Sequence, residues 1–70
     1  MPVRYIQLTS FFSEGVVDVP VDEITGVASG EQGETEIEVR HGAYYEVREP
    51  FRDVLRRIVA ALDEEPAHGP

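Results

Sequence analysis

Hydrophobic and polar residues alternate through much of the first fifty positions, and the period then lengthens to that of a helix. Strict alternation marks a strand with one buried and one exposed face. It predicts a first strand over Val3 to Thr9, with Ile6 and Leu8 on one face beside Arg4 and with Val3, Tyr5 and Gln7 on the other. A loop from Ser10 to Gly15 follows. Phe11 and Phe12 are adjacent in that loop and cannot point the same way, so one is expected to cap the core and the other to stand exposed. Val16 to Val19 is the second strand, ended by Pro20, which has no N–H for a central ladder. Asp22-Glu23 reads as a turn into a third strand, Ile24 to Ser29, anchored by Ile24 and Val27. Gly26 inside it signals a bulge or a close backbone approach.

The clearest alternation follows the Gly30–Gly33 loop. Thr35, Ile37 and Val39 face one way, and Glu34, Glu36, Glu38 and Arg40 face the other, as in a half-buried strand with a charged outer surface. A fifth strand runs from Ala43 to Glu49, with Tyr45 and Val47 opposite in sense to Tyr44, Glu46 and Arg48. Directly opposed residues of an antiparallel pair share a face, so a two-residue turn at His41-Gly42 would mix the faces. A three-residue loop Arg40-His41-Gly42 with Gly42 left-handed repairs this. It opposes Ile37 to Tyr45 and Thr35 to Val47, at the cost of opposing Glu36 to Glu46. The alternative loop His41-Gly42-Ala43 would oppose Glu36 to Arg48 instead, which is electrostatically better, but the first is preferred for the place it gives its glycine.

From Pro50 the period changes. Phe51, Val54, Leu55, Ile58, Val59 and Leu62 fall on one stripe of a helix that starts at Pro50 and ends at Leu62. Asp53 and Arg57, four residues apart, are expected to pair, and Arg56 and Arg57 favour the C-terminal end of the dipole. The expected fold class is therefore α+β: an antiparallel β-meander of four to five strands followed by one C-terminal amphipathic helix packed on the sheet. Residues 1–62 form that single domain, and 63–70 read as a flexible acidic, Pro-containing tail.

Composition narrows the function. The 70 residues hold 14 acids against 6 bases, all of them Arg, for a formal charge of -8. Nucleic acids and anionic membranes both select cationic surfaces, so neither is an expected partner. There is no apolar run long enough to span a bilayer and no signal-like h-region at the start, so a soluble, cytoplasmic setting is expected. With no Cys, neither a disulfide nor a thiolate metal site is available to so small a core, and self-association is the remaining support.

No catalytic constellation is visible. The two His are a turn residue, His41, and a tail residue, His68, so neither a metal site nor a cofactor is expected. The Glu34, Glu36 and Glu38 row reads as a solvated face with nothing apolar to prepare it for acid–base work, and the chain is expected not to be an enzyme. Carboxylates at alternate strand positions repeat every ~6.8 Å. Extended by Glu46, they form a negative surface able to imitate a phosphate track and occupy a basic groove on another protein. Phe11, Phe12 and Tyr44 are the aromatic candidates for a protein interface, including one between copies of the chain.

The ordered pattern Ile6-x-Leu8-Thr9, Val17-x-Val19, Asp22-x-Ile24-x-x-Val27, Thr35-x-Ile37-x-Val39, Gly42-x-Tyr44-Tyr45-x-Val47-x-Glu49 and Val54-x-x-x-Ile58 resembles the small flagellar FlbD/SwrD-like proteins. That resemblance spans about Ile6 to Val59 and implies the same strand–strand–helix order, with no catalytic residues. His41-Gly42 stands here in place of that family's Asn-Gly turn, and acid replaces its Lys-rich surface. Two functions are therefore expected. The first is a non-catalytic acidic module that binds a basic surface of a protein partner, such as a nucleic-acid-binding protein, in the manner of a phage or mobile-element inhibitor. The alternative is an accessory protein of the bacterial flagellar system.

Overall fold

The computed structural model describes residues 4–63. It contains five strands, β1 (Tyr5–Thr9), β2 (Val16–Pro20), β3 (Ile24–Ser29), β4 (Thr35–Val39) and β5 (Tyr44–Val47), and one helix, α1 (Phe51–Asp63). The architecture is the expected α+β arrangement, with a refinement: the strands divide into a β1–β2 hairpin and a three-stranded β3–β4–β5 sheet, both antiparallel. The chain beyond β1 stitches the two together. Phe11 N–H donates to Glu46 O at 2.9 Å and Arg48 N–H to Thr9 O at 2.8 Å. A short 3-10 turn, Val21–Glu23, carries β2 into β3, and its Val21 N–H donates to Arg4 O.

The register follows from side-chain alternation. Ile6 opposes Val19 and Leu8 opposes Val17 in the hairpin. Ile37 sits between Val27 and Tyr45, and Thr35 between Ser29 and Val47. The pairing slips between Ile24 and Gly26, so the bulge signalled by Gly26 is present, and Thr25 Oγ1 donates to Glu38 O beside it. The β4–β5 connection is the three-residue one, Arg40–Gly42. Both His41 (φ 73) and Gly42 (φ 85) adopt left-handed backbone. A non-Gly residue at positive φ is uncommon, and His is one of the types that tolerates it.

One cluster forms the core: Ile6, Leu8, Val19, Val21, Ile37, Val39, Val47 and Val54, with Val17, Ile24, Val27, Tyr45, Ile58 and Ala61 packed around it. The helix reaches this cluster with a narrower stripe than its sequence offers. Val54 is buried and Ile58 and Ala61 are half-buried, while Phe51, Leu55, Val59 and Leu62 remain substantially exposed. The apolar stripe is wider than the sheet surface it meets.

Two ionic expectations are corrected. Asp53 pairs with Arg56 at 3.4 Å, not with Arg57. Arg57 turns toward the sheet instead, donating to Gln7 O at 3.2 Å and lying 3.8 Å from the Glu49 carboxylate. The last turn of the helix holds no base of its own. Arg4, arriving from the start of β1, supplies one: its Nη1 donates to Leu62 O at 3.3 Å and reaches Ala61 O at 3.5 Å. A cation on these last carbonyls satisfies groups that have no partner within the helix. The acidic tail beyond Asp63 lies outside the described residues, as does His68.

Candidate functional site

The outer face of the β3–β4–β5 sheet carries the groups singled out by sequence. Alternation and register put Gly26 and Ala28 of β3, Glu36 and Glu38 of β4, and Tyr44 and Glu46 of β5 on this side. Gly26 lies beside Glu38, and Glu38 beside Tyr44; Ala28 lies beside Glu36, and Glu36 beside Glu46. Small residues on β3 leave room that longer side chains on β4 and β5 do not fill. The result is a shallow hollow of about 380 Å³ lined by Gly26, Val27, Ala28, Glu36, Glu38 and Tyr44. Tyr44 is exposed at its rim, and Glu38 is exposed as well.

Glu34 departs from expectation. It belongs to the same alternating row but is buried, with 7% of its surface accessible. Its Oε1 accepts the N–H of Gln32 at 2.9 Å, and its main-chain O accepts the N–H of Gly30 at 2.7 Å. The carboxyl group folds over the Gly30–Gly33 loop so closely that a Cβ on Gly30 would collide with it. Glu34 therefore closes a loop, and a side chain at position 30 would have to displace its carboxyl group. The expected solvated row is shortened to exposed Glu38 and half-buried Glu36 and Glu46, with Glu34 behind them.

These acids still converge. Glu34, Glu36 and Glu46 each place a carboxylate oxygen within 4.8 Å of the others. Among the described residues no Arg forms an ion pair with any of the three or with Glu38; the ion pairs found there are Arg4–Asp22, Arg56–Asp53 and Arg57–Glu49. Two bases, at the ends of β5 and β1, are engaged elsewhere. Arg48 Nε donates to Ser10 O at 2.8 Å, and Arg4 is held by Asp22 and the helix end. An all-carboxylate trio has the oxygen donors that hard cations take, but one Glu34 oxygen is already committed to Gln32, and Ca²⁺ prefers about 6–8 oxygen ligands.

The aromatic candidates separate. Phe12 is 67% exposed and Phe11 only half-buried, their rings meeting edge to face at 5.0 Å. They lie in the β1–β2 loop, whereas Tyr44 belongs to the acidic hollow.

A second polar centre was not singled out from the sequence as a site. Glu49, just after β5, accepts the Thr9 N–H at 2.9 Å and the Thr9 hydroxyl at 3.0 Å through its carboxylate. Its main-chain O accepts the Thr35 hydroxyl at 2.6 Å. Thr9, Thr35 and Glu49 thereby join β1, β4 and the entry to α1. A Thr at the end of one strand and a Thr at the start of another, with one Glu before a helix-starting Pro, is the sequence signal for this clasp. No family model, no curated protein and no solved structure matches the chain.

Proposed function

We propose that this protein is a non-catalytic binding module whose outer β3–β4–β5 face docks onto a basic surface of a partner protein. The observation that supports the reading is the concave hollow rimmed by Glu36, Glu38 and Tyr44 and continued by Glu46, whose three carboxylates form no ion pair with a described cation. Unpaired carboxylates beside a concavity attract Arg and Lys side chains, which gain charge-assisted hydrogen bonds there. The exposed Tyr44 ring offers a face for a guanidinium. Glu36 and Glu38 repeat at about 6.8 Å along β4, a spacing on the scale of alternate phosphates on one nucleic-acid strand. The partner class is therefore a nucleic-acid-binding protein whose basic groove accepts the acidic face in place of its substrate, as an inhibitor of a host defence enzyme would be accepted.

The test is affinity capture from host lysate with the wild-type chain and with a Glu36→Gln, Glu38→Gln, Glu46→Gln triple variant. Glu34 is left intact because it closes its own loop. Recovery of a nucleic-acid-binding protein by the wild type, lost in the triple variant and in about 0.5 M salt, supports the reading. Capture that survives both the substitutions and the salt overturns it.

A further inference from the structure

We propose that the exposed ridge of α1 is a self-association surface on which a second copy of this chain packs its own α1 antiparallel. The ridge consists of Phe51 (38% exposed), Leu55 (38%), Val59 (58%) and Leu62 (44%). These side chains are spaced four, four and three residues apart, so they form one continuous line along the helix beside the stripe that Val54, Ile58 and Ala61 apply to the core. Four large apolar side chains in one line are more than the scattered exposure normal for a soluble domain. Residues 64–70, Glu-Glu-Pro-Ala-His-Gly-Pro, contain no large apolar side chain.

A two-fold interface requires a patch that pairs with itself, residue i meeting j and j meeting i, and a single apolar line can do this when two helices run antiparallel. Antiparallel pairing sets Phe51 against Leu62 of the second copy and Leu55 against Val59, and does so twice. The charges agree with this register. Arg52 and Asp63 are eleven residues apart, about three helical turns, and so lie on the same edge of the ridge. The two-fold brings Arg52 of each copy beside Asp63 of the other. Arg56, nearer the middle of that edge, would meet its own counterpart, but its charge is already matched by Asp53 at 3.4 Å. A helix of 13 residues is about 20 Å long. A contact along so short a helix falls below the roughly 800 Å² per partner of a standard interface, so the dimer is a weak one that exchanges with monomer. Because α1 packs against the core side of the sheets, such a dimer leaves both acidic outer faces open.

Sedimentation equilibrium of the full chain from about 1 μM to 1 mM reads this directly, with circular dichroism confirming that each variant is folded. A monomer–dimer equilibrium is expected. Leu55→Glu abolishes it, Arg52→Asp weakens it about tenfold, and Arg52→Asp combined with Asp63→Arg restores it. Should Leu55→Glu fail to fold, the wild type alone decides: its concentration-dependent NMR shifts are expected at Phe51, Leu55, Val59 and Leu62. A wild-type chain that stays monomeric at 1 mM overturns the proposal. So does a dimer that survives Leu55→Glu, or shifts confined to Phe11 and Phe12, either of which would place the contact elsewhere. Dimerisation that appears only when residues 64–70 are removed also overturns it, since the ridge would then be covered by the chain's own tail.

Discussion

Two groups of glutamates lie only a few residues apart and behave in opposite ways. Glu49 is 14% exposed and fully occupied: both carboxylate oxygens accept hydrogen bonds from Thr9, and Arg57 stands 3.8 Å away. Glu36 and Glu46 oppose each other across β4 and β5 with like charge and without a described cation. An acid that supplies main-chain donors with partners is part of the fold, whereas one that faces only another acid costs the fold a little and remains free to meet something else. The difference lies in position. Glu49 sits where β1 ends and a Thr N–H needs an acceptor; Glu36 sits in mid-strand, where the ladder already satisfies the main chain.

The sharpest way to break this contrast is at Glu49. Glu49→Ala removes the acceptor for the Thr9 N–H and hydroxyl, leaving a part-buried donor without a partner. Hydrogen bonds to charged groups contribute about 1.5–3 kcal/mol, and an orphaned donor adds to the cost. The expected loss is about 2–3 kcal/mol, or roughly 10–20 °C in Tm for a domain this small. Chemical denaturation measures it. A loss under about 0.5 kcal/mol would reduce the clasp to a surface contact of the ordinary weak kind.

Sequence periodicity made most of the fold legible because each strand has one core face and the register must keep those faces together. That requirement demanded an odd-length loop between β4 and β5, and Gly42 in left-handed backbone selected Arg40–Gly42 over a loop one residue later, which fixes the Ile37–Tyr45 and Thr35–Val47 pairs. Hydrophobic pattern could not show how much of the helix stripe would be used, since that depends on the area of sheet beneath it; Leu55 and Val59 match the period as well as Val54 does, yet only Val54 is buried. Side-chain reach was also hidden. Glu34 has the outward parity of Glu36, but it precedes the strand and folds over Gly30. Arg57 leaves Asp53 for the sheet, and Arg4 travels to the far end of the helix. Each of these depends on tertiary neighbours. The acidic hollow was half legible: its walls are the predicted Glu36, Glu38 and Tyr44, and its floor comes from the small residues Gly26 and Ala28.

Asp22 stands between the two groups of acids, exposed yet paired. Arg4 Nη2 donates to its Oδ1 at 2.8 Å. That bond, aided by the Arg4 N–H and the Arg4 charge, holds the carboxyl below its ordinary 3.8 against a small opposing effect of desolvation. A carboxyl with a lowered folded pKa adds stability that is present in full above its unfolded value, near about 4, and is lost as pH falls through the folded value. Asp22→Asn is therefore expected to make the acid limb of the stability-against-pH curve shallower, by less than the change at Glu49. An unchanged acid limb would show that the pair has no part in the fold's acid sensitivity.

The smallest effect has the opposite sign, and the sign decides the contrast. Like charges placed directly opposite on neighbouring strands destabilise the pair by about 0.2–1 kcal/mol. Glu36→Gln keeps the size and polarity of the side chain and removes one of the two charges facing each other across β4 and β5. It is expected to raise stability by a few tenths of a kcal/mol while weakening attachment to a basic partner. Added salt should stabilise the wild type more than the variant, because screening relieves the same repulsion. If Glu36→Gln destabilises the chain by as much as Glu49→Ala, then Glu36 is tied into the fold as Glu49 is, and its charge is not available to a partner. If it stabilises the chain and costs binding, the charge on this face is maintained against the interest of the fold, which is the physical mark of a surface that serves an interaction.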